Sequence, residues 1–172
     1  MDSKFKNASI LFAVLGLLLL LQGCGVYSFT GASISPDTKT ISIQQFQNNA
    51  PLVQPRLSQL FTDALRDKFT SKTALSLVPR AGDLSIEGAI TDYRTMPVAI
   101  TGNEIAALNR LTISVRVTFT NRLDSKQNFE TTFSRFEDYD SNMPLSSVEE
   151  SLIAQINEAL VQDIFNRAVV NW

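Results

Sequence analysis

The sequence predicts an α+β two-layer sandwich, with two amphipathic helices packed on one face of a four- to five-stranded mixed sheet. Three observations carry that prediction. An apolar stripe at helical spacing runs through Leu57, Leu60, Phe61, Ala64, Leu65 and Phe69, with Arg56, Asp63, Arg66, Asp67 and Lys68 on the other side. A second stripe runs through Leu152, Ile153, Ile156, Leu160, Ile164 and Ala168. Between them, Leu111, Ile113, Val115, Val117 and Phe119 alternate with Thr112, Ser114, Arg116, Thr118 and Thr120. That is a strand with one dry and one wet face. At 172 residues, 44% hydrophobic and 19% charged, the chain suits one globular domain rather than a disordered tail.

The chain opens with an address. Lys4 and Lys6 give a short basic start, and the apolar run from Ala8 to Leu21 is broken only by Ser9 and Gly16. Such a run has the length of a signal-peptide core and is short for a membrane span. It ends in Leu21-Gln22-Gly23-Cys24, which resembles the lipobox of bacterial lipoproteins, although Gln22 is a less usual occupant of its position. That resemblance implies a diacylglyceryl thioether on Cys24, cleavage before it and acylation of the new amine. Acyl chains contribute about 0.8 kcal/mol per buried methylene, and two or more hold a protein stably on a bilayer. Residues 1–23 are then a cleaved signal peptide and 24–37 a lipidated tether, with a turn at Ser35-Pro36-Asp37. No acidic cluster follows Cys24, which favours the periplasmic face of the outer membrane.

Residues 38–172 form the folded domain. Ile41 and Ile43 alternate with polar partners, predicting a strand over 38–46, and the asparagines and prolines of 47–55 predict a loop. The first helix is expected over 54–71 and a short strand over 75–78. Leu84, Ile86, Gly88 and Ile90 share one face of the next strand. Residues 96–100 predict a further short strand or an irregular edge, and 101–104 a turn. Residues 121–128 are polar enough for a hairpin turn, and 129–139 return as the partner strand. There Phe133 and Phe136 fall on opposite parities, which suggests a bulge. Ser146 and Ser147 each stand three residues before a glutamate, Glu149 or Glu150, so either could form a capping box for the last helix.

Composition excludes much chemistry. The chain has no histidine, which removes the Ser-His-Asp triad and every histidine-ligated metal site. Its one cysteine permits neither an intrachain disulfide nor a thiolate cluster. A net charge of −2 gives no sign of a nucleic-acid binder. Glycine-rich phosphate cradles are absent. The carboxylate pairs Glu137/Asp138 and Asp83/Glu87 could do acid–base work in principle, but nothing in the sequence positions a partner for them. The run Asp138-Tyr139-Asp140-Ser141-Asn142, with Glu149 beyond, resembles a calcium loop, yet Met143 stands where glycine should permit the turn. A polar strand-to-helix loop accounts for it. The expectation is a protein that is not an enzyme, with no cofactor and no metal site.

The wet sheet face offers a different chemistry. Arg110 and Arg116 share its parity, and Arg135 lies on the expected neighbouring strand. Guanidinium groups among threonines could grip the phosphates of a phospholipid or lipopolysaccharide head group through forked hydrogen bonds. A solvated face laced with surface ion pairs fits the same spacing and is the plainer interpretation from spacing alone.

Several strings resemble the LptE family, the lipoprotein of the outer-membrane lipopolysaccharide translocon. They are Cys24-Gly25-Val26-Tyr27-Ser28-Phe29, Lys39-Thr40-Ile41-Ser42-Ile43 with Phe46 and Asn48, Leu57 to Leu65, and Gly82 to Tyr93. Leu108 to Thr112 and Phe133 to Asp140 are similar to the form found in Bacteroidetes-type bacteria. The resemblance covers Cys24 to roughly the C-terminus and consists of fold-bearing strings without catalytic residues. It implies a two-layer α/β fold lodged one-to-one inside the β-barrel of LptD, where it acts as a plug, aids barrel assembly and binds lipopolysaccharide. Arg110, Arg116 and Arg135 as lipopolysaccharide contacts come from strand parity, not from the family. A stand-alone lipid-binding lipoprotein is the alternative, and it would need an apolar cavity of its own.

Overall fold

The computed structural model describes residues 34–98 and 108–169. Cys24, the signal sequence and the turn expected at 101–104 lie outside the described residues. The order is β1 (Thr40–Ile43), β2 (Gln47–Asn48), α1 (Leu57–Lys72), β3 (Ser76–Leu77), β4 (Leu84–Val98), β5 (Leu108–Asn121), β6 (Phe129–Asp140) and α2 (Leu145–Val169). The strands form one sheet in the order β3-β1-β4-β5-β6, with β2 also paired to β4. β1 runs parallel to β3 and β4, and β2 parallel to β4, while β4, β5 and β6 pair antiparallel. The sheet is mixed, as expected; its six strands exceed the expected number because two of them are only two residues long.

The predicted strand over 38–46 stops at Ile43 because Phe46 leaves the sheet for the core, where it is fully buried. Helix α1 supplies the partners its backbone loses. The Phe46 amide donates to Thr62 Oγ1 at 3.1 Å, and Ser58 Oγ donates to the Phe46 carbonyl at 2.5 Å. The ring meets Phe61 edge-on, centroids 4.9 Å apart. Gly88 makes the room: a Cβ there would lie 2.8 Å from Phe46 Cε1 and 2.0 Å from the Arg116 carbonyl oxygen.

Helix α1 begins at Leu57, later than its pattern predicts. Pro55 offers no amide, and Gln54 Oε1 accepts from the amides of Arg56 (2.7 Å) and Leu57 (3.1 Å), satisfying donors the helix cannot. Helix α2 begins at Leu145, so Ser146 and Ser147 lie inside its first turn rather than before it. The expected capping boxes are not what forms: Ser147 Oγ donates to the Pro144 carbonyl, and Glu149 accepts the Tyr93 hydroxyl.

Strand β4 runs unbroken to Val98 and absorbs the separate strand expected from Met96. Its ladder with β5 slips by one residue between Ile90 and Asp92. The bulge expected in β6 is absent, and β5 and β6 pair in unbroken register from Leu108↔Asp140 to Phe119↔Phe129. Phe133 points to the helices, whereas Phe136 is left 49% exposed on the opposite face.

Both helices cover one sheet face. Ile41, Ile86, Ile90, Ile113, Val115 and Val117 meet Leu57, Phe61, Leu65, Phe69, Ile156, Leu160 and Ile164 in one buried cluster. Phe69 and Phe165 join the helices, 5.1 Å between centroids. Each such side chain contributes roughly 1.5–3 kcal/mol on burial. At the start of the sheet, Asp83 Oδ2 accepts from the amides of Lys39 and Thr40 and from Thr40 Oγ1, each at 2.9 Å. These bonds, the Lys39 amide foremost, hold its carboxyl below the ordinary aspartate range.

Candidate functional site

The face of β4, β5 and β6 turned away from the helices holds two of the three arginines expected from the sequence. Strand alternation places Arg110, Thr112, Ser114, Arg116, Thr118 and Thr120 of β5 there, because Leu111, Ile113, Val115, Val117 and Phe119 are buried beneath the helices. Directly paired residues share a face. From β6 come Glu130, Thr132, Ser134, Phe136 and Asp138, and from β4 come Ser85, Glu87, Ala89, Asp92, Arg94 and Met96.

Arg110 is held firmly. Its Nε and Nη2 donate to the two carboxylate oxygens of Asp138 at 2.7 and 2.9 Å, and the guanidinium lies 3.6 Å from the centroid of the Phe136 ring. The hydrogen bonds from Arg110 hold the Asp138 carboxyl below its ordinary value. Arg116 differs: it is exposed and, among the described residues, forms no ion pair. It borders a shallow depression of about 330 Å³ with Glu130, Thr131 and Thr132.

Arg135 does not join them. It pairs with Ile113, a buried residue of the helix-facing side. Its Nε and Nη2 donate to Asp163 of α2 at 2.6 and 2.7 Å, tying the edge strand to the helix. The three arginines expected from parity therefore divide two to one between opposite faces. The unbroken β5–β6 ladder, without the bulge expected in β6, keeps Arg135 on the parity of Phe133 and so on the helix side.

The face gains residues that sequence reasoning missed. Past the slip in β4 the inward parity changes from even to odd numbers: Ile86 and Ile90 point to the core before it and Tyr93 after it. Arg94 and Met96 thereby turn outward, Met96 to 53% exposure, with Arg94 Nη1 2.5 Å from Asp92 Oδ2. A signal existed: Asp92 and Arg94 continue the core parity of Leu84 to Ile90, and two charges on a dry parity mark a shifted register. The inward Tyr93 donates its hydroxyl to Glu149, and burial first, then that carboxylate, pushes its phenol above the ordinary range.

The resembling calcium loop has its oxygens committed elsewhere. Asp138 holds Arg110, Asp140 Oδ1 accepts from the amide (2.8 Å) and side chain (2.9 Å) of Asn142, and Glu149 accepts from Tyr93. Among the described residues no group of three or more carboxylates, cysteines or histidines could hold a metal ion. Residues 138–140 close β6, and 141–144 join it to α2.

On the helical side a groove of about 470 Å³ lies between α1 and α2. Leu60, Ala64, Ile153 and Val161 wall it, and Asn157, 4% exposed, lines it with a side-chain oxygen that has no hydrogen-bond partner among the described residues.

Solved structures share the fold at low identity. A protein from Xanthomonas campestris is 10% identical with a TM-score of 0.51, covering 81% of this chain and 90% of its own. One from Chlamydia trachomatis is 8% identical with a TM-score of 0.51, covering 78% of this chain and 99% of its own. A neuraminyllactose-binding hemagglutinin homologue from Helicobacter pylori is 8% identical with a TM-score of 0.50, covering 81% and 88%. At such identities the likeness concerns the fold alone. No curated protein matches the chain. The family described as Lipopolysaccharide-assembly, LptE, matches residues 38–168, from just before β1 to the end of α2, and the chain belongs to that family.

Proposed function

We propose that this protein is the lipid-anchored outer-membrane subunit that plugs an LptD-type β-barrel in a one-to-one complex, assists its assembly and binds lipopolysaccharide during insertion into the outer leaflet. Membership of the lipopolysaccharide-assembly family supports the setting. Attachment is assigned to acyl chains on Cys24, because Leu21-Gln22-Gly23-Cys24 resembles a lipobox; among the described residues no helix is long and apolar enough to cross a membrane. The role is binding and assembly rather than catalysis.

The single observation that carries this is the contrast between the sheet's faces. All helical packing lies on one side, leaving on the other a mostly polar surface of threonines, serines, arginines and carboxylates, with Met96 and Phe136 exposed near Arg110. A large barrel lumen is wet, and a plug with such a surface loses no apolar burial by standing in it. On that surface Arg116 has the one guanidinium of the three expected contacts without an internal carboxylate partner among the described residues. It is the residue we assign to a head-group phosphate; Arg94 and Arg110 lie farther along the same face. Arg135 serves the fold instead.

The test is a mild-detergent pull-down of C-terminally tagged protein from its native outer membrane. A large β-barrel recovered in equal amount is expected. Recovery of the lipoprotein alone, under conditions that keep other barrel complexes intact, would overturn the plug. The interhelical groove favours a second reading, a stand-alone lipid-binding lipoprotein. Native mass spectrometry of the isolated protein distinguishes it, since that reading requires a co-purifying lipid.

A further inference from the structure

We propose that the free edge of β6 accepts an extended basic segment of the barrel partner by antiparallel strand addition. The source of that segment rests on the proposed function; the acceptor edge rests on β6 itself.

A sheet edge presents unpaired amides and carbonyls, and proteins defend such edges with short strands, bulges, prolines or lysines. The edges of this sheet differ in their defence. On one side β3 is two residues long. Beyond β2, the distal part of β4 is unpaired on that side among the described residues, but it carries the slip between Ile90 and Asp92 and also Pro97. On the other side β6 spans 12 residues, pairs only with β5 among the described residues, and contains no proline, glycine or lysine. Its register is unbroken throughout. Geometrically it is open to another strand.

Its charge selects what can dock. β6 carries Glu130, Glu137, Asp138 and Asp140 against Arg135 alone. Asp138 is neutralised by Arg110, and Arg135 is consumed by Asp163. Glu130 on the outer face and Glu137 on the helix face have no cationic partner within ion-pair distance among the described residues. A second copy would bring four more acids and only one arginine to the seam, setting Glu130 against Asp138 or Asp140 in face-matched antiparallel registers, and like charges across a ladder destabilise it. A strand bearing Lys or Arg opposite Glu130 and Glu137 gains main-chain hydrogen bonds and two cross-strand ion pairs. The edge is thus closed to itself by charge and open to a basic strand.

The first arm of the test uses the full-length lipoprotein in detergent and a 12-residue Thr/Val peptide, matched to β6, with lysines spaced as Glu130 and Glu137 are. Amide hydrogen exchange in residues 129–140 should slow by about tenfold or more when the peptide is added. Glu130→Lys with Glu137→Lys should abolish the effect, as should replacing the peptide's lysines by glutamate or inserting prolines. No slowing, or equal slowing by the proline peptide, would overturn the acceptor edge. In the second arm a photo-crosslinking residue at the exposed Thr132 is activated in the native outer membrane. Crosslinking to the co-purifying barrel supports the source; crosslinking to a second copy of this chain, or to no protein while the barrel is present, overturns it. Absence of the barrel from the pull-down counts against the plug, and the peptide arm still reads the edge.

Discussion

The two faces of β5 are built from adjacent residues and do opposite work. Ile113, Val115 and Val117 are wholly buried beneath the helices, whereas Thr112, Ser114 and Arg116 between them look outward. The inner face has apolar contact on every side; the outer holds its groups by hydrogen bonds and ion pairs, as between Arg110 and Asp138. Apolar burial is therefore concentrated on one face, and the proposed binding is assigned to the other. Substitutions on the two should separate cleanly into effects on folding and effects on binding.

The largest expected effect is on the inner side. Phe61→Ala removes a fully buried ring that packs edge-on against Phe46 and should cost about 3–5 kcal/mol in denaturant unfolding. A loss below about 1 kcal/mol would break the comparison, since typical exposed-site changes fall there. Next is Gly88→Ala, whose Cβ would lie 2.0 Å from the Arg116 carbonyl oxygen and press on Phe46. Overpacking of this kind costs about 1–3 kcal/mol, and an unchanged melting temperature would show that the strands separate there freely.

Smaller effects come from the polar ties. The Asp83 carboxyl titrates lower in the folded chain than in the unfolded one. Its contribution is therefore complete above the ordinary carboxylate range and is lost as pH falls through the lowered folded value. Asp83→Asn should weaken the protein at neutral pH and flatten its loss of stability in acid; parallel pH profiles for the two proteins would refute the clamp. Arg135→Gln removes a pair that is 51% exposed on the arginine side, so about 0.2–1 kcal/mol is expected, with lipopolysaccharide binding unchanged.

The smallest effect on folding and the sharpest on binding belong to Arg116→Glu. The melting temperature should stay within error while lipopolysaccharide affinity falls about tenfold, the scale of one charge-assisted hydrogen bond. If Arg135→Gln lowers affinity and Arg116→Glu does not, the assignment of binding to the outer face fails.

Much of the fold was legible because periodicity is local. The stripe from Leu57 to Phe69 and the alternation from Leu111 to Phe119 announce a helix and a strand without reference to anything distant. Element ends were less legible, since Gln54, Thr62 and Ser58 set them through contacts that no propensity records. The candidate site was half legible. Arg110 and Arg116 followed from the alternation of their own strand, while Arg135, Arg94 and Phe136 required register across strands.

The sequence by itself determined the helices, the alternating strands of the sheet, and the exclusion of histidine chemistry, of an intrachain disulfide and of a thiolate cluster, because these depend on composition and on spacing along the chain. Tertiary structure alone decided whether Arg94 and Arg135 share the face of Arg110 and Arg116. A one-residue slip after Ile90 reverses every later side chain of β4, and the unbroken β5–β6 ladder turns Arg135 toward Asp163. Side chains in a strand repeat every second residue, so their facing depends on the neighbouring strand's register, which is not written in either strand alone.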